Sequence, residues 1–176
     1  GITVIGAGGG GHSGTLSHFA FVGAVRKIFP GTLIMAGAVS DGTAIRAAEI
    51  LGADLAYLGT RFIATRESGA APDYKAMLVS QGMTDLIYTP AIAGIPANWL
   101  AASIDAVGLD RNDLPVREAG GYGHDHLPPH IRPWHNLWSA GQGIGLIEDI
   151  PGVADLVARL RDEYDAACRM PRFDMA

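Results

Sequence analysis

Three times in its first 82 residues the chain repeats one pattern: a short β-branched or apolar run, a glycine-bearing loop, then a helical stretch. Ile2–Ile5 runs into Gly6-Ala7-Gly8-Gly9-Gly10-Gly11-His12, residues 32–36 into Gly37-Ala38, and residues 55–58 into Gly59-Thr60. Runs this short and this uniformly apolar read as strands buried on both faces, and strands alternating with helices read as a parallel α/β sheet. Helices are predicted over residues 19–29, closed by Pro30-Gly31, and over 44–51, capped by Ser40 or Asp41 and stopped at Gly52. A further helix is predicted from Pro72 to about Gln81. Three parallel strands neither close a barrel nor cover both faces of their sheet. The segment therefore calls for partner strands from preceding sequence or from another chain.

Beyond Gly82 the repeat ends. Residues 86–90 read as one extended piece, 98–107 as a short helix and 115–135 as a long irregular segment rich in Pro, Gly and His. An amphipathic helix over 153–167 follows Gln142-Gly-Ile-Gly. This divides the chain into βα units over 1–82 and a substrate-side or lid segment plus C-terminal helix over 83–176, in one domain. The first residue is not Met and already lies in a strand pattern, so a fragment or processed product is expected.

Charge and composition exclude several partners. A net charge of −5, with Lys and Arg scattered, does not suit a phosphate backbone, so no nucleic acid is expected. Neither a signal peptide nor an apolar run of bilayer length is present, so membrane association is not expected and the reading is cytoplasmic. Cys168 is the one cysteine, which rules out an internal disulfide, and no base motif marks it as a nucleophile.

In α/β proteins ligands bind where strands end, so the loops carry the candidate chemistry. Gly6 to Gly11 satisfies the dinucleotide spacing G-x-G-x-x-G, but His12-Ser13-Gly14 stands where the helix should begin, and the next strand ends without a carboxylate for the ribose. Bare glycine backbone with an imidazole at its end instead puts a general base beside a flat or phosphorylated ligand. The second and third loops, at Ala36, Gly37 and Ala38 and at Gly59 and Thr60, then read as a phosphate site. His124, Asp125, His126, His130 and His135 lack zinc spacing, and no metal is expected.

Together GAGGGGHSGTLS, MAGAVSDGTAI, LGADLAYLGTRFIAT and WSAGQGIGLIED resemble the nitronate monooxygenase family, formerly the 2-nitropropane dioxygenases, over essentially the whole chain. The resemblance is to that family's carboxyl-terminal half and implies an α/β fold: the C-terminal part of a flavin-binding TIM (β/α)8 barrel, from about strand six to strand eight plus an extension. It implies an FMN-dependent monooxygenase acting on alkyl nitronates or nitroalkanes and O2, giving a carbonyl compound and nitrite. His12 falls on the family's catalytic histidine; Ala36, Gly37 and Ala38 on its FMN phosphate loop; Gly59 and Thr60 on the following glycine-threonine pair. Gly10 and Gly11 would lie along the flavin and Gln142 at its edge. The family usually carries a second glycine where this chain has Ala38. The first five strands are not in this sequence, so the partner is either that missing half or a second copy of the chain. Two other readings are a FabK-like NAD(P)H-dependent enoyl reductase on the same scaffold and a non-catalytic remnant that has lost the flavin.

Overall fold

The structure, a computed structural model, describes residues 1–116 and 124–170. The predicted irregular segment thus lies partly outside the described residues. In chain order the elements are β1 (Ile2–Ile5), β2 (Gly11–His12), α1 (His18–Ile28), β3 (Leu33–Ala36), α2 (Gly42–Leu51), β4 (Leu55–Tyr57), α3 (Thr60–Ile63), α4 (Pro72–Ser80), β5 (Leu86–Thr89), β6 (Ala97–Leu100), α5 (Ala101–Ala106) and α6 (Val153–Cys168). Single 3-10 turns cover Met83–Asp85 and Gln142–Leu146.

β1, β3 and β4 form the expected parallel sheet, in that order, with Ile5 level with Ala36 and Ala36 level with Tyr57. That register brings the three strand-end loops to one edge. The helix limits follow local chemistry: Asp41 accepts a hydrogen bond from the Ala44 amide at 2.6 Å, and Gly52 terminates α2 at φ 105°, a conformation that costs glycine little.

Two sequence expectations are corrected. The strands are not buried on both faces. Val4, Leu33 and Met35 pack with Val22 of α1 and Ala48 of α2, whereas Ile5, Leu55 and Tyr57 on the other face are 43%, 55% and 64% exposed. Both crossover helices contribute to the same core cluster, and no described element covers the opposite face. Nor is 98–107 one helix. Ala97–Leu100 is the buried central strand of a second, antiparallel sheet ordered β2-β6-β5, and α5 starts only at Ala101. An apolar run this short carries no periodicity that separates strand from helix, so pairing on both sides decides it.

α6 lies along α2, burying Leu156 and Leu160. Its Glu163 carboxylate accepts a hydrogen bond from the Gly42 amide at 2.8 Å, and the Tyr164 hydroxyl donates to Glu49 at 2.8 Å. Among the described residues no helix is long and apolar enough to cross a membrane.

Candidate functional site

At the loop edge of the parallel sheet lies a cavity of about 490 Å³. Thr3, Ile5 and Tyr57 line it from the exposed sheet face, Gly9 and Gly10 from the first loop, Ala36 to Ser40 from the second, and Gly59 and Thr60 from the third. Tyr74, Ser139, Gly141 and Gly143 complete it.

The glycine run is built into its surroundings more tightly than open backbone requires. The Gly8 carbonyl accepts from the amides of Ala38 and Gln142, both at 3.0 Å. A Cβ on Gly10 would stand 2.7 Å from the Gly141 nitrogen, and one on Gly37 2.7 Å from the Gly9 nitrogen. These glycines let three backbones touch. Gly59 differs, since a Cβ there would meet nothing within 4 Å while the residue lines the cavity. Its hydrogen leaves space for a ligand.

One buried and one half-buried polar side chain fix the strand ends around the first loop. Asn98, 2% exposed on β6, donates through Nδ2 to the carbonyls of Gly9 at 2.7 Å and Ala7 at 3.1 Å, and lies 3.2 Å from the Ser13 hydroxyl. His18 Nε2 donates to the Ala36 carbonyl at 2.8 Å, tying α1 to the end of β3. Neither was legible from the sequence, because each reaches a partner that only the folded chain brings near.

The two helix starts behind the loops differ electrically. The first turn of α2 is occupied by the carboxylates of Asp41 and Glu163 and offers an anion nothing. No side chain caps the short α3; the Phe62 and Ile63 amides donate to the Gly59 carbonyl, which leaves those of Thr60 and Arg61 uncapped. Thr60 Oγ1 accepts from the Gly141 amide at 2.9 Å and gives its own hydrogen to no acceptor among the described residues. Just behind, the buried Arg61 guanidinium donates to the Asp149 carboxylate at 2.9 Å, and Arg159 meets the other Asp149 oxygen at 2.6 Å. Burial pulls Arg61 below its ordinary value, while the Arg159 hydrogen bond holds Asp149 below the usual carboxylate range. With the Ala38 amide held by the Gly8 carbonyl, the donors left facing the cavity are at Gly37, Gly59 and Thr60, a set that a phosphorylated flavin fits.

His12 is not among the lining residues. It stands on β2, exposed, two residues from Gly10, with its ring edge-on to Trp134 at a centroid distance of 5.2 Å. Gly11, at φ 79°, and Gln142, whose side chain is exposed, also lie outside the lining, although Gly141 and Gly143 beside Gln142 are within it. Tyr74, unmarked in the sequence, stacks on Trp138 at 5.1 Å and donates its hydroxyl to the Ser139 carbonyl. Burial pushes its phenol up to about 12. Of the remaining histidines, His126 bonds the Ala91 carbonyl at 2.7 Å and His130 that of Val107 at 3.3 Å.

Parallel βα units whose strand-end loops gather at one edge around a cavity define part of a (β/α)8-barrel enzyme. The family model for nitronate monooxygenase matches residues 2–125. A nitronate monooxygenase of Paraburkholderia phytofirmans is 31% identical over 88% of this chain and 46% of its own length. FabK from Thermotoga maritima superposes with a TM-score of 0.72 at 25% identity, over 94% of this chain and 54% of its own. Nitroalkane oxidase from Streptomyces ansochromogenes gives 0.69 at 24%, over 94% and 52%. The chain belongs to the nitronate monooxygenase family, a family of flavin-dependent oxidoreductases. It spans about half the length of these relatives and corresponds to their carboxyl-terminal part, which makes the fold that part of a flavin-binding TIM barrel.

Proposed function

We propose that this chain supplies the phosphate-binding loops and the proton-transfer group of an FMN-dependent enzyme that oxidises alkyl nitronates, or the parent nitroalkanes, with O2 to a carbonyl compound and nitrite. The observation that carries the reading is the level register of β1, β3 and β4, which collects three strand-end loops around one cavity with His12 two residues beyond its wall. The amides of Gly37 and Gly59 and the Thr60 hydroxyl would hold the phosphate, with Ala38 shaping the loop while its own amide stays on the Gly8 carbonyl. Gly10 and Gly11 would run along the ring system, and Gln142 would stand at its edge between Gly141 and Gly143. FMN, when bound, supplies the electron transfer between nitronate and dioxygen. His12 accepts the α-proton of a neutral nitroalkane or orients a nitronate already formed; among the described residues its ring nitrogens have no hydrogen-bond partner that would compete. We assign the substrate-side segment over 83–176 to the same domain, supported by β6, which pairs with β2 of the first segment and with β5 on its other side.

His12→Ala tests the assignment. Turnover of neutral nitroalkanes should fall by roughly 10²- to 10⁴-fold while nitronates lose far less. Equal losses on both would remove the role as base.

The superposition with FabK favours one other reading, an NAD(P)H-dependent enoyl reductase. Anaerobic mixing with NADH separates the two. Rapid flavin bleaching supports the reductase, and reduction only by a nitronate supports the oxidation proposed here. A visible spectrum of the purified protein without flavin bands would instead indicate a barrel remnant that has lost its cofactor.

A further inference from the structure

Among the described residues only two that are not glycine have positive φ: Ala38, at 57° in the phosphate loop, and Trp134, at 60°. A left-handed backbone is disfavoured for a residue with a side chain, and for one as bulky as tryptophan it is an outlier. Such outliers persist where the surroundings impose them.

The surroundings of Trp134 do so. Its amide donates to the Leu137 carbonyl at 2.8 Å, the Asn136 side chain closes the same turn onto the Arg132 amide at 2.7 Å, and its indole lies 5.0 Å from that of the fully buried Trp99. Yet Trp134 itself is 45% exposed, so burial does not account for an indole here. What the conformation achieves is contact with His12: the two rings meet edge to face, with an interplanar angle of 80°. The imidazole makes no hydrogen bond to a described residue. His124 approaches the same indole more distantly, at 6.2 Å.

We propose that Trp134 is the positioning residue for His12, its strained turn holding the indole where it fixes the plane of the imidazole and so the direction in which the ring nitrogens point. The usual orienter of a catalytic histidine is a carboxylate bonded to the second nitrogen. Here an aromatic ring takes that place, and both nitrogens are without a hydrogen-bond partner among the described residues. The proposal rests on the reading of His12 as the proton-transfer group.

Trp134→Gly is the decisive variant, because glycine accepts φ 60° and keeps the turn while deleting the ring; Trp134→Phe restores an aromatic face. In the purified protein the His12 ring-proton resonances, assigned by their loss in His12→Gln, should be displaced by the indole ring current. They should move toward exposed-histidine positions in Trp134→Gly, stay partly displaced in Trp134→Phe, and be unchanged in His124→Ala. With neutral nitroalkane kcat should fall on the order of 10- to 100-fold in Trp134→Gly, as expected for a misdirected base, with near-normal nitronate turnover and recovery in Trp134→Phe. Unmoved His12 resonances in Trp134→Gly, or equal losses on both substrates with His12→Gln still selective, overturn the proposal. If His12→Gln itself proves unselective, the base reading fails, while the resonances still report whether Trp134 holds the ring.

Discussion

The proposed phosphate side and the histidine side of the site are built by opposite means. Around Gly37, Gly59 and Thr60 the groups facing the cavity are backbone amides and one hydroxyl, placed by strands that end level with one another. Around His12 the working group is a side chain on a two-residue strand, held by β6, by the turn at 132–137 and by Trp134, all more than 80 residues away. A site made of backbone tolerates most substitutions except those that add atoms or change φ. A site made of a side chain depends on whatever touches that side chain.

The comparison breaks most severely at Gly59. Its Cβ would point into open space, so Gly59→Val should leave the thermal midpoint unchanged yet weaken FMN by about 100-fold or more, equivalent to about 3 kcal/mol. Flavin content after gel filtration measures this, and full retention would move the phosphate elsewhere. The same change at Gly37, where φ is 104°, should instead unfold the protein.

Asn98 joins the two sides, and Asn98→Asp would set an acceptor against the carbonyls of Ala7 and Gly9. The cost should be about 2–4 kcal/mol near neutral pH, shrinking as acid protonates the new carboxyl. Denaturant midpoints across pH provide the check, and a loss independent of pH would mean the amide is not what holds the loop.

A smaller effect belongs to Tyr74. Because its folded value, about 12, lies above the ordinary 10.0, its contribution to stability is intact below pH 10 and is lost as pH rises toward 12. Tyr74→Phe should remove that alkaline loss at a cost of about 1 kcal/mol at neutral pH, seen as a flatter stability profile above pH 10.

The smallest change is Ala38→Gly. Relief of the left-handed alanine, about 1–2 kcal/mol, is largely offset by the entropy glycine loses on folding, about 0.5–1 kcal/mol, so a gain near 0.5 kcal/mol is expected. A melting temperature lowered by the substitution would show that the Ala38 methyl packs usefully against Gly8.

The cavity wall at the proposed phosphate side was the more legible in the sequence. Glycine, alanine and threonine at successive strand ends mark residues that the fold gathers around one cavity, and Ala38 stands where the family usually keeps glycine. The histidine was legible as a residue but its setting was not. Asn98 and Trp99 sat in a run that read as helix, and Trp134 lay in a segment that read as irregular. Their partners are distant in sequence, and no local period encodes them.

By itself the sequence determined the βα rhythm, a cap at Ser40 or Asp41, which the structure places at Asp41, the stop at Gly52 and the glycine positions, because each follows from preferences that act within a few residues. Tertiary structure alone decided which sheet face is covered, that residues 97–100 pair as a strand, that α2 is closed to anions while α3 is open, and that an indole meets His12. Those outcomes depend on pairing, charge and burial between segments far apart in the chain, which local preference cannot specify.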